Sequence, residues 1–111
     1  MLHTEKLRKN TEFKRVYDKG TSIANRHLVL FSLKNKEGYN RVGFSASKKV
    51  GNSVVRNRAR RLMKESFRLS VDKIKVGYDM VFLARVNIKN ATYSDVEKSM
   101  MDLLRKSKLL K

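Results

Sequence analysis

Between Val54 and Arg68 the chain carries Arg56, Asn57, Arg58, Arg60, Arg61, Lys64 and Arg68, with one carboxylate, Glu65, among them. A guanidinium group is planar and holds two phosphate oxygens at once, whereas lysine acts as a point charge; an arginine-rich run of one sign therefore suits a phosphate backbone. Read as an α-helix advancing about 100° per residue, the segment lines up Val55, Ala59, Leu62 and Ser66 in a narrow stripe, flanked by Met63 and Phe67. Arg58, Arg60, Arg61, Lys64 and Arg68 then project from the opposite side with Asn57 among them, and Arg56 lies at the border of the apolar face. Like charges at the i,i+4 pairs Arg60–Lys64 and Lys64–Arg68 cost helix stability, so polyanion binding is a better reading than a merely solvated surface. Lys48 and Lys49 come just before the helix. Gly51, Asn52 and Ser53 leave backbone N–H groups free at its start, a suitable seat for phosphate.

Little else in the chain is fit for covalent or acid–base chemistry. His3 and His27 are the two histidines. A pair of imidazoles can act as general acid and base, but one stands close to the N-terminus and the other begins a strand, so both read as surface or cleft residues. The acidic residues are scattered without the cluster that a two-metal site needs. Absence of cysteine excludes disulfides, thiolate zinc sites and a cysteine nucleophile. With 27 Lys plus Arg against 10 Asp plus Glu, the formal charge of +17 points to a polyanionic partner. Nucleic acid is the first candidate and an anionic membrane surface the second. A membrane-lying helix would set large aromatics opposite its cations, whereas this apolar face is needed for packing. No helix–turn–helix pair or heptad dimeriser accompanies the basic helix, which argues against a major-groove DNA reader. No stretch approaches the roughly 20 apolar residues of a membrane span, and Met1–Lys6 lacks the apolar run of a secretory signal. A cytoplasmic location is expected.

The elements that must position the basic helix follow from periodicity. A chain of 111 residues, 41% hydrophobic, is expected to fold as a single domain over residues 1–111. A first helix spans about Thr11 to Lys19, capped by Asn10 or Thr11, with Phe13, Val16 and Tyr17 as its apolar edge and Gly20 as its end. A strand runs from about Asn25 to Leu33, and the turn Asn35-Lys36-Glu37-Gly38 leads to a second over about Arg41 to Ser47. There Val42, Phe44 and Ala46 alternate with Arg41, Gly43, Ser45 and Ser47. The basic helix covers about Ser53 to Leu69. A third strand, about Tyr78 to Arg85, is apolar on both faces and expected to be central. The last helix opens at Ser94 and Glu97, which have capping-box spacing, and repeats Val96, Met100, Leu103 and Leu104. The order α-β-β-α-β-α makes an α+β two-layer sandwich of a mainly antiparallel sheet with three helices.

Lys48-Lys49-Val50-Gly51-Asn52-Ser53-Val54-Val55-Arg56-Asn57-Arg58-Ala59-Arg60-Arg61-Leu62 resembles the signature segment of the bacterial ribonuclease P protein family. The likeness extends over nearly the whole chain. It takes in Gly20-Thr21-Ser22 through Asn25-Arg26, Arg41-Val42-Gly43 leading to Ser47-Lys48-Lys49, and Ala84-Arg85. An Arg-Asn-Arg triplet alone would be a weak signal; the ordered set of segments is specific. A ribosomal protein or general RNA chaperone would share the size, charge and compartment, and only this ordered set argues against it.

The resemblance implies a function assisted by RNA. In the family the RNA subunit carries the active site, and the protein, inert alone, helps the endonuclease remove the 5′ leader of precursor tRNA. The residues matching the RNA-binding surface are Lys48, Lys49, Arg56, Asn57, Arg58, Arg60, Arg61, Lys64 and Arg68. Those matching the leader cleft are Phe13, Tyr17, Asn25, Arg26 and Phe31, and single-stranded RNA is indeed held by aromatic faces for bases and cations for the backbone. Core packing is an equal alternative for the aromatics, stronger for Phe13 than for Tyr17 with its polar tip. The resemblance also implies a left-handed β-α-β crossover against the usual rule, as in the second domain of a small-subunit ribosomal protein. Mg2+ is implied for the holoenzyme at RNA sites, with Asp18 and Asp79 the only hints of a weak protein site. The implied partners are the RNA subunit and precursor tRNA, with neither membrane nor obligate protein partner.

Overall fold

In a computed structural model, which describes residues 4–111, the chain runs β1 (Thr4–Lys6), α1 (Asn10–Lys19), β2 (Thr21–Ala24), β3 (Leu28–Lys34), β4 (Asn40–Ser45), α2 (Ser53–Ser70), β5 (Tyr78–Ala84) and α3 (Tyr93–Lys106). Short 3-10 turns at Val71–Lys73 and Val86–Asn90 follow α2 and β5. His3 lies outside the described residues. The five strands form one sheet in the order β1-β4-β5-β3-β2. It is mixed: β1–β4 and β4–β5 pair in parallel, β3–β5 and β2–β3 antiparallel. As its two apolar faces require, β5 is central.

Alternation along the strands separates two faces. Leu28 and Leu30 of β3, Val42 of β4, and Met80, Phe82 and Ala84 of β5 are buried with α2 and α3 in the main core. Phe44, Phe67 and Phe82 meet there with ring centroids 5.8–5.9 Å apart. The fully buried Phe82 alone stabilises the fold by about 1.5–3 kcal/mol. The other face carries Val81 and Phe31, and α1 crosses it with Val16 and Phe13. Thus α2, α3 and the sheet form the sandwich, and α1 lies alone on the far side.

Several boundaries differ from the sequence expectation for local reasons. Neither Asn10 nor Thr11 caps α1, since Asn10 is already helical. The carboxylate of Glu12 instead reaches back to accept the N–H groups of Arg8 (2.8 Å) and Lys9 (2.9 Å). Ser94 does not cap α3; Thr92 and Asp95, with the same spacing two residues earlier, form the reciprocal pair at 2.9 and 3.1 Å. The expected start of a strand at Asn25 moves to Leu28, because the Asn25 side-chain oxygen accepts the N–H groups of His27 and Leu28 and folds the chain into a turn. The strands β1 and β2 leave no signal in the sequence: at 3 and 4 residues they are too short to show a period.

Two glycines permit close approach. A Cβ on Gly20 would stand 2.5 Å from the Val16 carbonyl oxygen and 2.7 Å from that of Ser32, so only glycine lets α1 turn directly into β2. A Cβ on Gly43 would overlap two ring carbons of Phe13. That missing side chain lets the ring pack directly against β4.

The helix-start carboxylates make stability depend on pH. Backbone N–H groups of Lys9 and Arg8 hold Glu12 below its ordinary 4.5, and that of Thr92 does the same for Asp95 below 3.8. A group whose pKa is depressed by folding contributes stability above its unfolded value and loses it as the pH falls through its folded one. The thermal midpoint is therefore expected to hold between neutrality and pH 4.5 and to fall below it; a midpoint unchanged well below the ordinary carboxylate range would refute the capping account.

Candidate nucleic-acid interface

Helix α2 begins with the Asn52 side chain accepting the Val55 N–H at 3.1 Å, after the exposed turn that carries Lys48 and Lys49. Its buried residues are Ala59, Met63, Ser66, Phe67 and Ser70. The inward stripe is therefore centred nearer Met63 and Phe67 than the sequence suggested, because Phe67 is drawn in by Phe44 and Phe82. Leu62 is only half-buried. This rotation redistributes the cations. Asn57, Arg61, Lys64 and Arg68 form an exposed outward strip, with Arg68 paired to Glu65. Arg58 and Arg60, expected on that strip, sit half-buried on opposite flanks. Arg58 Nη2 donates to the Ala91 carbonyl at 2.9 Å, and Arg60 Nη1 donates to Asn57 Oδ1 at 2.8 Å. Arg56 is half-buried at the apolar border as its position foretold, with Nη2 3.4 Å from Ser53 Oγ and Nε buried without a hydrogen-bond partner. Val54, 76% exposed, stands at the start of the outward strip.

On the opposite sheet face α1 builds a second feature. Tyr17 meets Phe31 edge-on at 4.8 Å between centroids, and Phe13 lies 6.5 Å from Tyr17. Tyr17 is 36% exposed, while Phe13 and Phe31 are half-buried. Phe13 packs on Gly43 and also borders a hollow. That hollow is lined by Asn10, Phe13, Tyr17, Phe44, Ser45 and Arg60. Asn25 is not part of this group. Its amide donates to the Ser99 carbonyl (2.9 Å) and to Asp102 (3.3 Å), so it ties the β2–β3 turn to α3. Arg26 is exposed in that same turn, whose backbone is held from the other side by Arg85 and Asn87.

Sequence reasoning missed the clamp that fixes α1. Asp79, 1% exposed, accepts Arg41 Nε (2.8 Å) and Nη2 (2.7 Å) in a fork and the Asn35 amide at 2.9 Å. Arg15 of α1 lies 3.7 Å from the same carboxylate, and Arg41 Nη1 donates to Glu12 at 3.3 Å. The side-chain hydrogen bond with Asp79 raises the already high pKa of Arg41. A lone charge in each of two apolar strands was the only signal available. Asp18, on α1, pairs with Lys14. Among the described residues no three His, Asp or Glu side chains come together to hold a metal ion.

The Ribonuclease P family model matches residues 1–108. The chain belongs to the ribonuclease P protein family. It is 52% identical to the ribonuclease P protein component of Alkaliphilus metalliredigens over 110 residues, covering 99% of each chain. It is also 52% identical to that of Clostridioides difficile over 105 residues, covering 94% of this chain and 92% of the other. The fold is similar to that of the Staphylococcus aureus RNase P protein, with a TM-score of 0.87, 36% identity and coverage of 96% and 97%. The Thermotoga maritima RNase P protein superimposes with a TM-score of 0.83 at 27% identity, covering 92% of this chain and 96% of that one. As a ribonuclease P protein component the chain is a subunit of the endoribonuclease that matures the 5′ end of tRNA, and its family implies an RNA partner. Within the subunit, His27 Nδ1 lies 2.8 Å from Ser99 Oγ, a contact that ties a turn to α3. No helix among the described residues is long and apolar enough to cross a membrane.

Proposed function

We propose that the protein docks on the catalytic RNA of ribonuclease P through the outward strip of α2, and holds the 5′ leader of precursor tRNA in the hollow beneath α1. The observation that carries the first half is the placement of Asn57, Arg61, Lys64 and Arg68 on one exposed side of a helix whose other side is buried under the sheet. Lys48 and Lys49 extend that strip past the helix start, Arg56 and Arg58 border it, and Arg60 stands where it meets the hollow. Guanidinium groups so arranged offer donors to phosphate without having to leave a buried site. Phe13, Tyr17 and Phe31 supply ring faces and edges for unstacked bases, with Arg26 as an outlying cation. Asn25 acts in this reading by holding the Arg26 turn in place. The phosphodiester chemistry, and the Mg2+ it requires, belong to the RNA subunit in the bacterial cytoplasm; the protein contributes affinity and position.

Reconstitution with the RNA subunit tests the reading. At low magnesium, leader removal is expected to need this chain, and an RNA that cleaves equally well without it would count against an assisting role. The cleft is tested by Tyr17→Ala and Phe31→Ala. Removing a base stack costs about 1–3 kcal/mol, so each variant is expected to bind precursor tRNA about tenfold less well while mature tRNA is unaffected. Equal effects on both ligands would remove the leader assignment.

A further inference from the structure

We infer that Arg60, though it belongs to the basic helix, serves the precursor-tRNA leader and not the RNA subunit, donating to a leader phosphate at the mouth of the hollow. The inference rests on the leader reading above and adds a residue that the outward strip does not explain. Arg60 projects about 100° round the helix from Arg61, on the flank that faces β4 and α1. It is the only residue of α2 among the six that line the hollow with Phe13 and Tyr17. Its Nη1 donates to Asn57 Oδ1 at 2.8 Å, which fixes the direction of a half-buried side chain. Nε and Nη2 remain able to donate, and among the described residues no carboxylate pairs with the group. An oriented, uncompensated guanidinium beside two aromatic rings is the pairing that single strands require, with the base on the ring and its phosphate on the cation. Because Asn57 lies on the outward strip, the hydrogen bond that aims Arg60 also ties the leader contact to the surface facing the RNA subunit.

The holoenzyme reconstituted with Arg60→Ala, Arg60→Lys or Arg61→Ala separates the possibilities. Three quantities are read: affinity of the protein for the RNA subunit, affinity of the holoenzyme for precursor tRNA against mature tRNA, and the salt dependence of each. Arg60→Ala is expected to lower the leader-dependent gain about tenfold, as removal of a charged hydrogen bond does. It should flatten the salt slope of that gain by about 0.7, the value for one single-strand phosphate, and spare assembly. Arg60→Lys should restore the slope but not the full affinity, since the fork is gone. Arg61→Ala should do the reverse of Arg60→Ala, weakening assembly and sparing the leader gain. If Arg60→Ala weakens assembly as Arg61→Ala does and keeps the leader gain, the assignment is overturned. Tyr17→Ala and Phe31→Ala in the same assay mark the source of a failure. When they abolish the gain and Arg60→Ala does not, Arg60 alone is misassigned; when they too preserve it, the leader cleft falls and this inference with it.

Discussion

Replacing Arg61, Lys64 and Arg68 together by alanine is expected to weaken binding to the ribonuclease P RNA by roughly a hundred- to a thousand-fold while the protein stays folded. A charge-assisted hydrogen bond contributes about 1.5–3 kcal/mol, and removing three, with some compensation among exposed neighbours, reaches that range. All three side chains are exposed, and surface substitutions outside special positions change stability by about 0.5 kcal/mol or less. Their removal also relieves the like-charge pairs Arg61–Lys64 and Lys64–Arg68. The slope of log affinity against log salt should flatten by about 2, at roughly 0.7–0.9 for each phosphate that is no longer neutralised. Filter binding across a salt series, with circular dichroism on the same samples, measures both. Unfolded variants would mean that the exposed side of α2 is misassigned. Folded variants with undiminished affinity would mean that the RNA docks elsewhere.

The second large effect concerns stability. Asp79→Ala removes the carboxylate that Arg41 and Arg15 share and leaves the half-buried guanidinium of Arg41 with the weaker Glu12 contact at 3.3 Å. Breaking a buried ion pair from one side costs about 3–5 kcal/mol, and the partial exposure of Arg41, 20% at its side chain, places this site at the lower end. About 3 kcal/mol is a large share of the roughly 5–15 kcal/mol that holds a typical domain. Urea unfolding should show it as a lower midpoint with an unchanged slope. Replacing both partners by apolar residues of similar volume should recover much of the stability, since the uncompensated charge is then gone. An Asp79→Ala stability within about 0.5 kcal/mol of the parent protein would show that the clamp contributes little. Because the clamp seats α1, the single variant should also blunt discrimination between precursor and mature tRNA.

Much of this was readable from the chain itself because helix and strand periods are local. The spacing of Val55, Ala59, Leu62 and Ser66, with Met63 and Phe67 on the flank, announced a one-sided helix, and the doubly apolar run from about Tyr78 to Arg85 announced a central strand. Arg56 at the apolar border and Gly20 at the end of α1 were also legible. Short strands and caps were not. A three-residue strand exists only through its partner β4, and Thr92 with Asp95 competes with Ser94 and Glu97 on equal sequence terms.

The sequence by itself determined that one helix would carry most of an arginine-rich charge away from a packed face, since charge and apolar period are both written along a single segment. Which cation faces which ligand was decided only in three dimensions. The Phe44–Phe67–Phe82 cluster rotates α2 enough to send Arg58 toward Ala91 and Arg60 toward the aromatic hollow. The sheet order likewise sets Arg41 beside Asp79, 38 residues away, where apolar surroundings turn two isolated charges into the clamp that holds α1. Such contacts arise from packing between distant segments, and no local pattern encodes them.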